Sequence, residues 1–215
     1  MDIDFKDFQA VFFDLDGTMI NSEPIHFQAI VHIAKKGDPK DLEKKYNGHS
    51  DEEVYTALNL EMNYADFKAL KEAKMREILK EIKSPEKYLN PGLKKVLEKI
   101  KAAGAKLGVV SASETESAID LLETFALSSF FDHRVFRENT HLSKPNPSPY
   151  LKAMRDLKVS PDKTLVFEDS KVGIEAGILS GAKVIQVLTF HHPPTIDKRV
   201  DQISSFEELL NPHQA

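Results

Sequence analysis

Four short apolar runs, each bounded by polar residues or glycine, constrain the fold of this chain more than any other feature. They lie at 10–14, 106–111, 164–169 and 183–187. Their apolar character is continuous rather than alternating, which is typical of strands covered on both faces in a parallel sheet. Amphipathic helical patterns alternate with the runs, at 92–103, 114–125, 147–157 and 171–180. From residue 88 onward, this order predicts an α/β fold built on a doubly wound parallel sheet.

The segment 19–87 differs from the rest of the chain. It contains almost no strand-like run, and it is rich in charge and in helical periodicity, most clearly at 64–83. We therefore expect two domains: a catalytic core formed by 1–18 and 88–215, and a helical cap at 19–87 inserted after the first strand. Ligands of open α/β sheets bind at the carboxyl ends of the strands. The cap is expected to lie over that edge.

Composition and charge exclude several kinds of protein. A net charge of −5 gives no electrostatic basis for binding nucleic acid. The chain has no cysteine, which excludes disulfides, thiolate zinc sites and a cysteine nucleophile. The N-terminal residues MDIDFKDF lack the order of a signal peptide, and no apolar run approaches the roughly 20 residues that span a bilayer. We expect a cytoplasmic enzyme acting on a small molecule without membrane or nucleic-acid partners. We also expect a monomer, because no coiled-coil pattern or long exposed apolar stripe is evident.

Residues suited to catalysis follow the first two apolar runs. Asp14 and Asp16 stand two positions apart, where alternate side chains share one side of a strand and Gly17 permits a sharp turn. Aspartate and glycine are also ordinary turn formers, so this motif alone leaves a plain loop open. Ser111 and Ser113 follow the second run, where a hydroxyl and backbone N–H groups at a helix start suit a phosphate. A simple helix N-cap is an equally sufficient role for Ser113.

Two further motifs add charge. Lys144 lies in the proline-rich stretch HLSKPNPSPY, which stiffens its backbone, although a solvated surface lysine is the ordinary alternative. Glu168 and Asp169 end the third run, and adjacent acids at the tip of a buried strand are costly unless a cation lies between them. Mg²⁺ is a hard divalent ion that binds carboxylates, water and substrate phosphate together.

All four motifs can converge, because the carboxyl ends of parallel strands meet at one edge of a sheet. Asp14, Glu168 and Asp169 bring about three negative charges and a phosphate monoester up to about two more, which Mg²⁺ and Lys144 largely offset. Phosphoryl transfer needs mainly positioning and charge neutralisation, and this set provides both. We predict Asp14 as a metal ligand and as the nucleophile that becomes phosphorylated. Asp16 is predicted to protonate the leaving oxygen and then activate water, with its backbone carbonyl completing the metal shell.

The motifs DLDGT, VVSAS, SKPNPSPY and FEDS, in this order, resemble those of the haloacid dehalogenase superfamily. The resemblance covers nearly the whole chain, and it implies a Rossmann-like core with a helical cap inserted after the first strand. The dehalogenases look different at the second aspartate of the first motif. Asp16 therefore implies phosphate chemistry rather than dehalogenation.

A longer stretch, DGTMINSEPIHFQAI, is similar to the start of the cap in the β-phosphoglucomutase-like subgroup, which includes sugar-phosphate phosphatases. Glu23, Pro24 and His26 match that pattern, whereas Asn21 stands where an aspartate is usual. In the mutases, the histidine equivalent to His26 links cap closure to the acid/base aspartate. A hydrogen-bonded histidine of the first cap helix is the alternative for this position.

The segment YNGHSDEE resembles the cap loop that reaches toward the substrate, with Gly48 matching its glycine. The residues expected to contact the substrate are Gly48, His49 and Ser50 in the cap and Ala112 and Ser113 in the core. The mutases bind the non-transferring phosphate with an arginine that is replaced here by Asp51, and a carboxylate would repel a second phosphate.

The expected function is therefore hydrolysis, by a Mg²⁺-dependent phosphatase of a small phosphorylated metabolite such as a sugar phosphate. An isomerase of the β-phosphoglucomutase type is the first alternative. A catalytically silent binding module on the same fold is the second, and the intact set of acids, serine and lysine argues against it.

Overall fold

The structure of the chain is a computed structural model, which describes residues 3–46, 49–190 and 193–210. It divides into two compact units, one made of Met1–Asn21 and Tyr88–Ala215 and the other of Ser22–Lys87. We call the first the core unit and the second the helical unit. No helix among the described residues is long and apolar enough to cross a membrane.

The core unit contains a six-stranded sheet in which every neighbouring pair is parallel. Its strands are β1 Ala10–Phe13, β2 Lys106–Val110, β3 His133–Val135, β4 Thr164–Glu168, β5 Lys183–Val187 and β6 Asp201–Ile203. They are arranged in the order β3-β2-β1-β4-β5-β6, which is that of a doubly wound Rossmann-like sheet. The predicted fold class is confirmed. The strand order reverses direction between β1 and β4, and in such sheets a crevice for ligands opens outside the carboxyl ends at that point.

Within the described residues, eight α-helices accompany the sheet. The helical unit contains α1 Glu23–Ala34, α2 Pro39–Tyr46, α3 Asp51–Leu58 and α4 Tyr64–Glu81. The core unit contains α5 Leu93–Ala102, α6 Thr115–Thr124, α7 Ser148–Leu157 and α8 Lys171–Leu179. Each helix predicted in the core is present, with its ends shifted by at most one residue. Ser170 caps α8 by accepting a hydrogen bond from the backbone N–H of Gly173.

The middle of the sheet is buried on both faces, as its continuous apolar sequence requires. All four residues of β1 and all five of β4 are buried. The rings of Phe13 and Phe167, on these neighbouring strands, stack with centroids 4.9 Å apart, and Phe206 packs edge-on against Phe167 at 5.2 Å. These rings fix β1 and β4 side by side, and therefore also the positions of the polar residues that follow them.

The chain leaves and re-enters the core unit at adjacent points. Ile20 forms an antiparallel bridge with Leu89, and the backbone N–H of Asn21 donates to the carbonyl of Tyr88 over 2.8 Å. The two segments that connect the helical unit to the core unit are therefore hydrogen-bonded to each other, just after the turn that follows β1.

The helical unit has its own hydrophobic core. Its buried cluster consists of Phe27, Ile30, Tyr46, Val54, Leu58 and Phe67. The aromatic rings of Tyr55, Tyr64 and Phe67 surround one end of this cluster, with centroids 5.3 to 6.2 Å apart. Since these contacts lie within the unit, packing of its own apolar faces stabilises it.

Candidate active site

A cluster of three acids occupies the carboxyl ends of two central strands. Asp14 directly follows β1, Glu168 is the last residue of β4, and Asp169 comes next. Their carboxylate oxygens lie within 4.8 Å of one another, and all three residues are buried. Because β1 and β4 are the strands at which the sheet order reverses, the cluster lies at the expected ligand-binding crevice.

Lys144 places its charge inside this cluster. Its ammonium group lies 2.6 Å from Oδ1 of Asp14 and 2.5 Å from Oε1 of Glu168, and it donates to the carbonyl of Val110 over 2.8 Å. The Lys144 side chain is only 4% exposed. The alternative of a solvated surface lysine is therefore wrong.

Glu168 is fixed from several sides. Its side chain is completely buried, and Oε1 also accepts a hydrogen bond from the hydroxyl of Tyr150 over 2.7 Å. On the other side, a Cβ at Gly173 would come within 2.0 Å of the carboxylate, so the α8 backbone approaches Glu168 as closely as only glycine allows. Glu168 therefore has one available orientation, which points at Lys144.

Asp169 is held by the turn that follows β1. The hydroxyl of Thr18 donates to its Oδ1 over 2.8 Å. Gly17 has a φ of +83°, and a Cβ there would lie 2.1 Å from Oδ2 of Asp169. The glycine of the DLDGT motif thus serves two purposes: it adopts the left-handed turn, and it leaves room for the carboxylate.

The charges in the cluster do not balance within the part of the chain that the structure describes, because three carboxylates share one ammonium group. Burial, and next the charge of Glu168, raise the pKa of Asp14 well above its usual range despite the opposing effect of Lys144. The same two causes raise the pKa of Asp169 to about 8, although Thr18 and Lys144 act to lower it. Burial alone would lower the pKa of Lys144, but Asp14 and Glu168 raise it, so the lysine stays charged.

This donor set fits a hard divalent cation. The candidate ligands are all carboxylate oxygens, they are close together, and burial and like charge raise the pKa values of Asp14 and Asp169. Mg²⁺ prefers such oxygens, and its charge would offset the surplus. Asp14, Glu168 and Asp169 are the residues that could hold it.

Asp16 is linked to the end of β2. Its Oδ2 accepts a hydrogen bond from the hydroxyl of Ser113 over 2.6 Å, and the backbone N–H of Ser113 donates to the hydroxyl of Ser111 over 2.9 Å. Ser111 is buried, and Ala112 between the two serines is exposed. The structure therefore brings Asp14, Asp16 and both serines to one edge of the sheet.

One expectation about Ser113 is wrong. The sequence placed it at the start of a helix, but α6 begins at Thr115 and its N-cap is Glu114, which makes no side-chain capping bond. The hydroxyl of Ser113 is bound to Asp16 instead. An N-cap hydroxyl accepts from a backbone N–H. The Ser113 hydroxyl instead donates to the Asp16 carboxylate, which is a charge-assisted hydrogen bond.

In the helical unit, His26 lies beside an ion pair formed by a buried lysine and a half-buried aspartate. Lys71, on α4, has a side chain that is 1% exposed, and its ammonium group binds Oδ2 of Asp51 at the start of α3. Nδ1 of His26, on α1, lies 3.4 Å from the same ammonium group. Burial would raise the pKa of Asp51, but Lys71, and next His26, lower it on balance. From the sequence, we expected the Asp51 carboxylate to repel a second phosphate. In the structure, Lys71 compensates its negative charge within the helical unit.

The structure describes two of the three residues of the cap loop that were predicted to contact the substrate. Gly48 lies outside the described residues. His49 and Ser50 are exposed; Nδ1 of His49 is 3.1 Å from the carbonyl of Tyr46. The hydroxyl of Ser50 forms a capping box with Glu53 at the start of α3. Their role toward a substrate stays a prediction.

The sequence did not reveal three polar residues that shape these sites. Thr18 and Tyr150 each donate to an acid of the cluster, and Lys71 is the buried partner of Asp51. Tyr150 and Lys71 lie on the buried faces of predicted helices, and no pattern in the sequence indicated a polar partner for either. Only Thr18 carried a local signal, since it closes the DLDGT motif.

A doubly wound sheet with a buried aspartate, lysine and further acids at its switch point defines a hydrolase-type α/β active site. Residues 11–187 match the sequence model of the family described as haloacid dehalogenase-like hydrolase. The chain belongs to this family, and the predicted family membership and phosphatase class of enzyme are confirmed.

Known proteins similar to this chain include enzymes of two kinds. A phosphorylated carbohydrates phosphatase of Thermotoga maritima is 34% identical over 188 residues, which cover 82% of this chain and 83% of that protein. A beta-phosphoglucomutase of Bacillus subtilis is 30% identical over 179 residues, 78% of each chain. The crystal structure of a HAD hydrolase, family IA, variant 3, from Entamoeba histolytica superposes with a TM-score of 0.76 at 27% identity, covering 93% of this chain and 94% of that one.

Proposed function

We propose that this protein is a Mg²⁺-dependent phosphatase that hydrolyses a small phosphorylated metabolite of the sugar-phosphate kind, with the phosphoryl group carried transiently on Asp14. The observation that supports this most directly is the buried cluster of Asp14, Glu168 and Asp169 around Lys144. Such a cluster needs positive charge, offers a carboxylate nucleophile, and lies where ligands of this fold bind.

In the first half of the reaction, a carboxylate oxygen of Asp14 attacks phosphorus, and the bond from phosphorus to the leaving oxygen breaks. Asp16 gives its proton to that oxygen, so the product leaves as an alcohol. Lys144, already bound to Oδ1 of Asp14, orients the carboxylate and offsets the charge that the phosphoryl oxygens bring.

In the second half, Asp16 accepts a proton from water, whose oxygen attacks the phosphorus of the aspartyl phosphate. The bond between phosphorus and Asp14 breaks, and inorganic phosphate leaves with the Asp14 carboxylate restored. The hydroxyl of Ser113 keeps Asp16 oriented through both proton transfers. The Ser111 hydroxyl and the backbone N–H of Ala112 are assigned to the phosphoryl oxygens, and the backbone N–H of Ser113, which donates to the Ser111 hydroxyl, orients that hydroxyl.

Asp14 and Asp169 would hold the magnesium ion, together with Glu168 and the backbone carbonyl of Asp16. When bound, this ion supplies the charge neutralisation that lets a carboxylate approach a phosphoryl group. Lys144 alone supplies one positive charge against three carboxylates, which is too little for a further anion to enter.

The helical unit is proposed as the cap that selects the substrate, with Gly48, His49 and Ser50 as its contact residues. His26 is proposed to link closure of the cap to the acid/base residue Asp16. The sugar-phosphate class rests on the named activity of the Thermotoga maritima relative. The β-phosphoglucomutase alternative is not favoured, because the position that would bind a second phosphate is Asp51, which is paired with Lys71.

A direct test measures the hydrolysis of an aryl phosphate by the purified full-length chain in EDTA and in Mg²⁺. We expect release of inorganic phosphate only with Mg²⁺. Equal turnover in EDTA would contradict the proposal. A screen of phosphorylated metabolites then identifies the substrate class. With β-glucose 1-phosphate, free phosphate is the product expected of a phosphatase, whereas glucose 6-phosphate formed with a bisphosphate activator would establish the mutase instead.

A further inference from the structure

Gln186 is a buried polar residue in an otherwise apolar strand. It lies in β5, opposite Glu168 in the register with β4, and it is 1% exposed. The other three buried residues of this strand are Val184, Ile185 and Val187. A primary amide in such a place is costly unless its donors and acceptors are all bound, so its partners indicate why it is there.

The Gln186 amide uses its full hydrogen-bonding capacity. Its Nε2 donates to the backbone carbonyl of Asp169 over 3.1 Å and to that of Pro193 over 2.9 Å. Its Oε1 accepts from the backbone N–H of Thr195 over 2.7 Å and from Nε2 of Gln202 over 3.3 Å. Two donated and two accepted bonds are the most that a glutamine amide can make.

One of these four bonds reaches the acidic cluster. Asp169 is bound through its side chain by Thr18, at Oδ1, and through its backbone carbonyl by Gln186. The two bonds act on opposite ends of the residue. Together they restrict both the peptide plane after Asp169 and the direction of its carboxylate.

This restraint opposes an electrostatic force. Asp14 and Glu168 carry the same charge as Asp169, and their oxygens lie within 4.8 Å of it. When these groups are ionised and no cation is bound, repulsion between them pushes the Asp169 carboxylate away from the cluster. A residue that is anchored at both ends keeps the carboxylate in place, and the cation then binds without first reorganising it.

We propose that Gln186 is a positioning residue for cation binding: by anchoring the backbone of Asp169 to the segment at 193–195, it keeps the Asp169 carboxylate in the orientation that binds Mg²⁺. This inference rests on the proposed function, in which Asp169 is a metal ligand. It assigns Gln186 no contact with substrate or with the reacting atoms.

The test uses the full-length variant Gln186→Met, which keeps the length of the side chain and removes all four hydrogen bonds. Calorimetric titration with Mg²⁺ should show affinity reduced by about tenfold, the usual consequence of losing a residue that orients a metal ligand. Turnover of an aryl phosphate at saturating Mg²⁺ should stay within about twofold of wild type, because the metal-bound site is then restored. Unchanged Mg²⁺ affinity would overturn the inference, whether or not turnover at saturating Mg²⁺ also falls.

Gln202→Met is the matched control. Gln202 binds Gln186 and the carbonyl of Thr195, so this change disturbs the same segment while leaving the Gln186 bond to Asp169 in place. Its Mg²⁺ affinity should equal that of wild type. If Gln202→Met weakens Mg²⁺ binding as much as Gln186→Met does, disorder of the segment explains the effect and the inference fails.

A measurement on the unmodified protein covers the case in which Gln186→Met does not fold. In NMR spectra, the side-chain amide signals of Gln186 should shift during a Mg²⁺ titration with the same midpoint as the calorimetric curve. Signals that do not respond to saturating Mg²⁺ would overturn the inference. If wild type itself neither binds Mg²⁺ nor hydrolyses aryl phosphates, the proposed function fails first, and that result is distinguishable from an effect confined to the Gln186 variant.

Discussion

Lys144 in the core unit and Lys71 in the helical unit are both buried lysines, but the charges around them differ. Lys144 contacts Asp14 and Glu168, and Asp169 is close by, so carboxylates outnumber cations among the described groups. Around Lys71, basic groups predominate instead. Several of them lower the pKa of its carboxylate partner Asp51, and the second carboxylate nearby, that of Glu72, lies 4.0 Å from the Lys71 ammonium group.

The pKa values reflect this difference. Burial and the neighbouring acids raise the pKa values of Asp14 and Asp169, whereas the basic groups around Asp51 outweigh burial and lower its pKa. A compensated buried pair needs no further ligand and contributes to the structure of its unit. An uncompensated cluster is stable only when protonated or when a cation binds, which is the property of a functional site. The following changes test this distinction, from the largest expected effect to the smallest.

Replacing Asp14 should separate activity from stability. Asp14→Asn removes the proposed nucleophile, and we expect turnover of an aryl phosphate to fall by about 10⁴-fold or more. The free energy of unfolding of the metal-free protein should not decrease, since the change also relieves repulsion in the cluster. Asp197→Asn, which removes a half-buried carboxylate paired with Arg199 outside the acidic cluster, is the control and should retain wild-type turnover. Substantial turnover in Asp14→Asn would rule out Asp14 as nucleophile.

The pH dependence of stability should have opposite signs in the two regions. The pKa of Asp169 is raised from 3.8 to about 8, so between these values the folded state binds more protons than the unfolded state. Through Asp169, the metal-free protein should therefore lose stability as pH rises from 4 to 8, with a slope of up to about 1.4 kcal/mol per pH unit, and the raised pKa of Asp14 acts in the same direction. The pKa of Asp51 is lowered, so the stability that Asp51 contributes is present at neutral pH and is lost only as the pH falls below the usual pKa of an aspartate.

Urea unfolding at several pH values, with EDTA or with Mg²⁺, measures this effect. Mg²⁺ should stabilise the protein more at pH 8 than at pH 6, because a cation competes with protons for the same oxygens. Asp169→Asn should flatten the slope of the metal-free protein. A wild-type protein that becomes more stable from pH 5 to 8 without metal, by a margin that Asp169→Asn does not change, would contradict this interpretation of the cluster.

Breaking the pair in the helical unit should affect stability and spare the metal site. Asp51→Asn leaves the buried charge of Lys71 without its ion-pair partner, and we expect a loss of about 2–3 kcal/mol in the free energy of unfolding. The double variant Asp51→Asn with Lys71→Met should recover most of that loss. Chemical denaturation of both variants measures these values, and an Asp51→Asn loss below about 0.5 kcal/mol would show that the pair is not structural.

The smallest effect concerns the orientation of Asp16. Ser113→Ala removes the hydroxyl that donates to Oδ2, and turnover should fall by about fivefold, which corresponds to the roughly 1 kcal/mol of a typical net hydrogen bond. Ser148→Ala, which removes a hydroxyl bound only within its own turn at Asn146, is a suitable comparison. Equal turnover in the two variants would show that Ser113 does not assist Asp16.

The sequence predicted the centre of the sheet better than its edges. The four buried runs became β1, β2, β4 and β5, because continuous apolar residues have few alternatives to a doubly covered strand. The other two strands, His133–Val135 and Asp201–Ile203, are three residues long and mix charged with apolar side chains. Such short strands at the edges of a sheet exist because a neighbour offers hydrogen bonds, which no local pattern encodes.

The sequence predicted those residues of the site that belong to recognisable motifs. It did not predict which side chains bind one another. Asp14 and Asp169 follow from motifs at strand ends, and Lys144 from the proline-rich motif before α7. The burial of Lys144 among carboxylates, the bond from Ser113 to Asp16, and the four bonds of Gln186 join residues far apart in sequence. A glutamine within a buried run was a visible signal that some polar partner existed, but the sequence could not name that partner.

The central claim is that Asp14 carries the phosphoryl group, and trapping this intermediate tests it most directly. Wild-type protein is mixed with Mg²⁺ and an aryl phosphate, quenched with acid, reduced with borohydride, digested and analysed by mass spectrometry. Reduction converts a phosphorylated aspartate into homoserine, which we expect at position 14 and not at position 16. Asp16→Asn should increase the trapped fraction, because water then attacks the intermediate more slowly. Continued phosphate release with no modification at Asp14 in either protein would contradict the account.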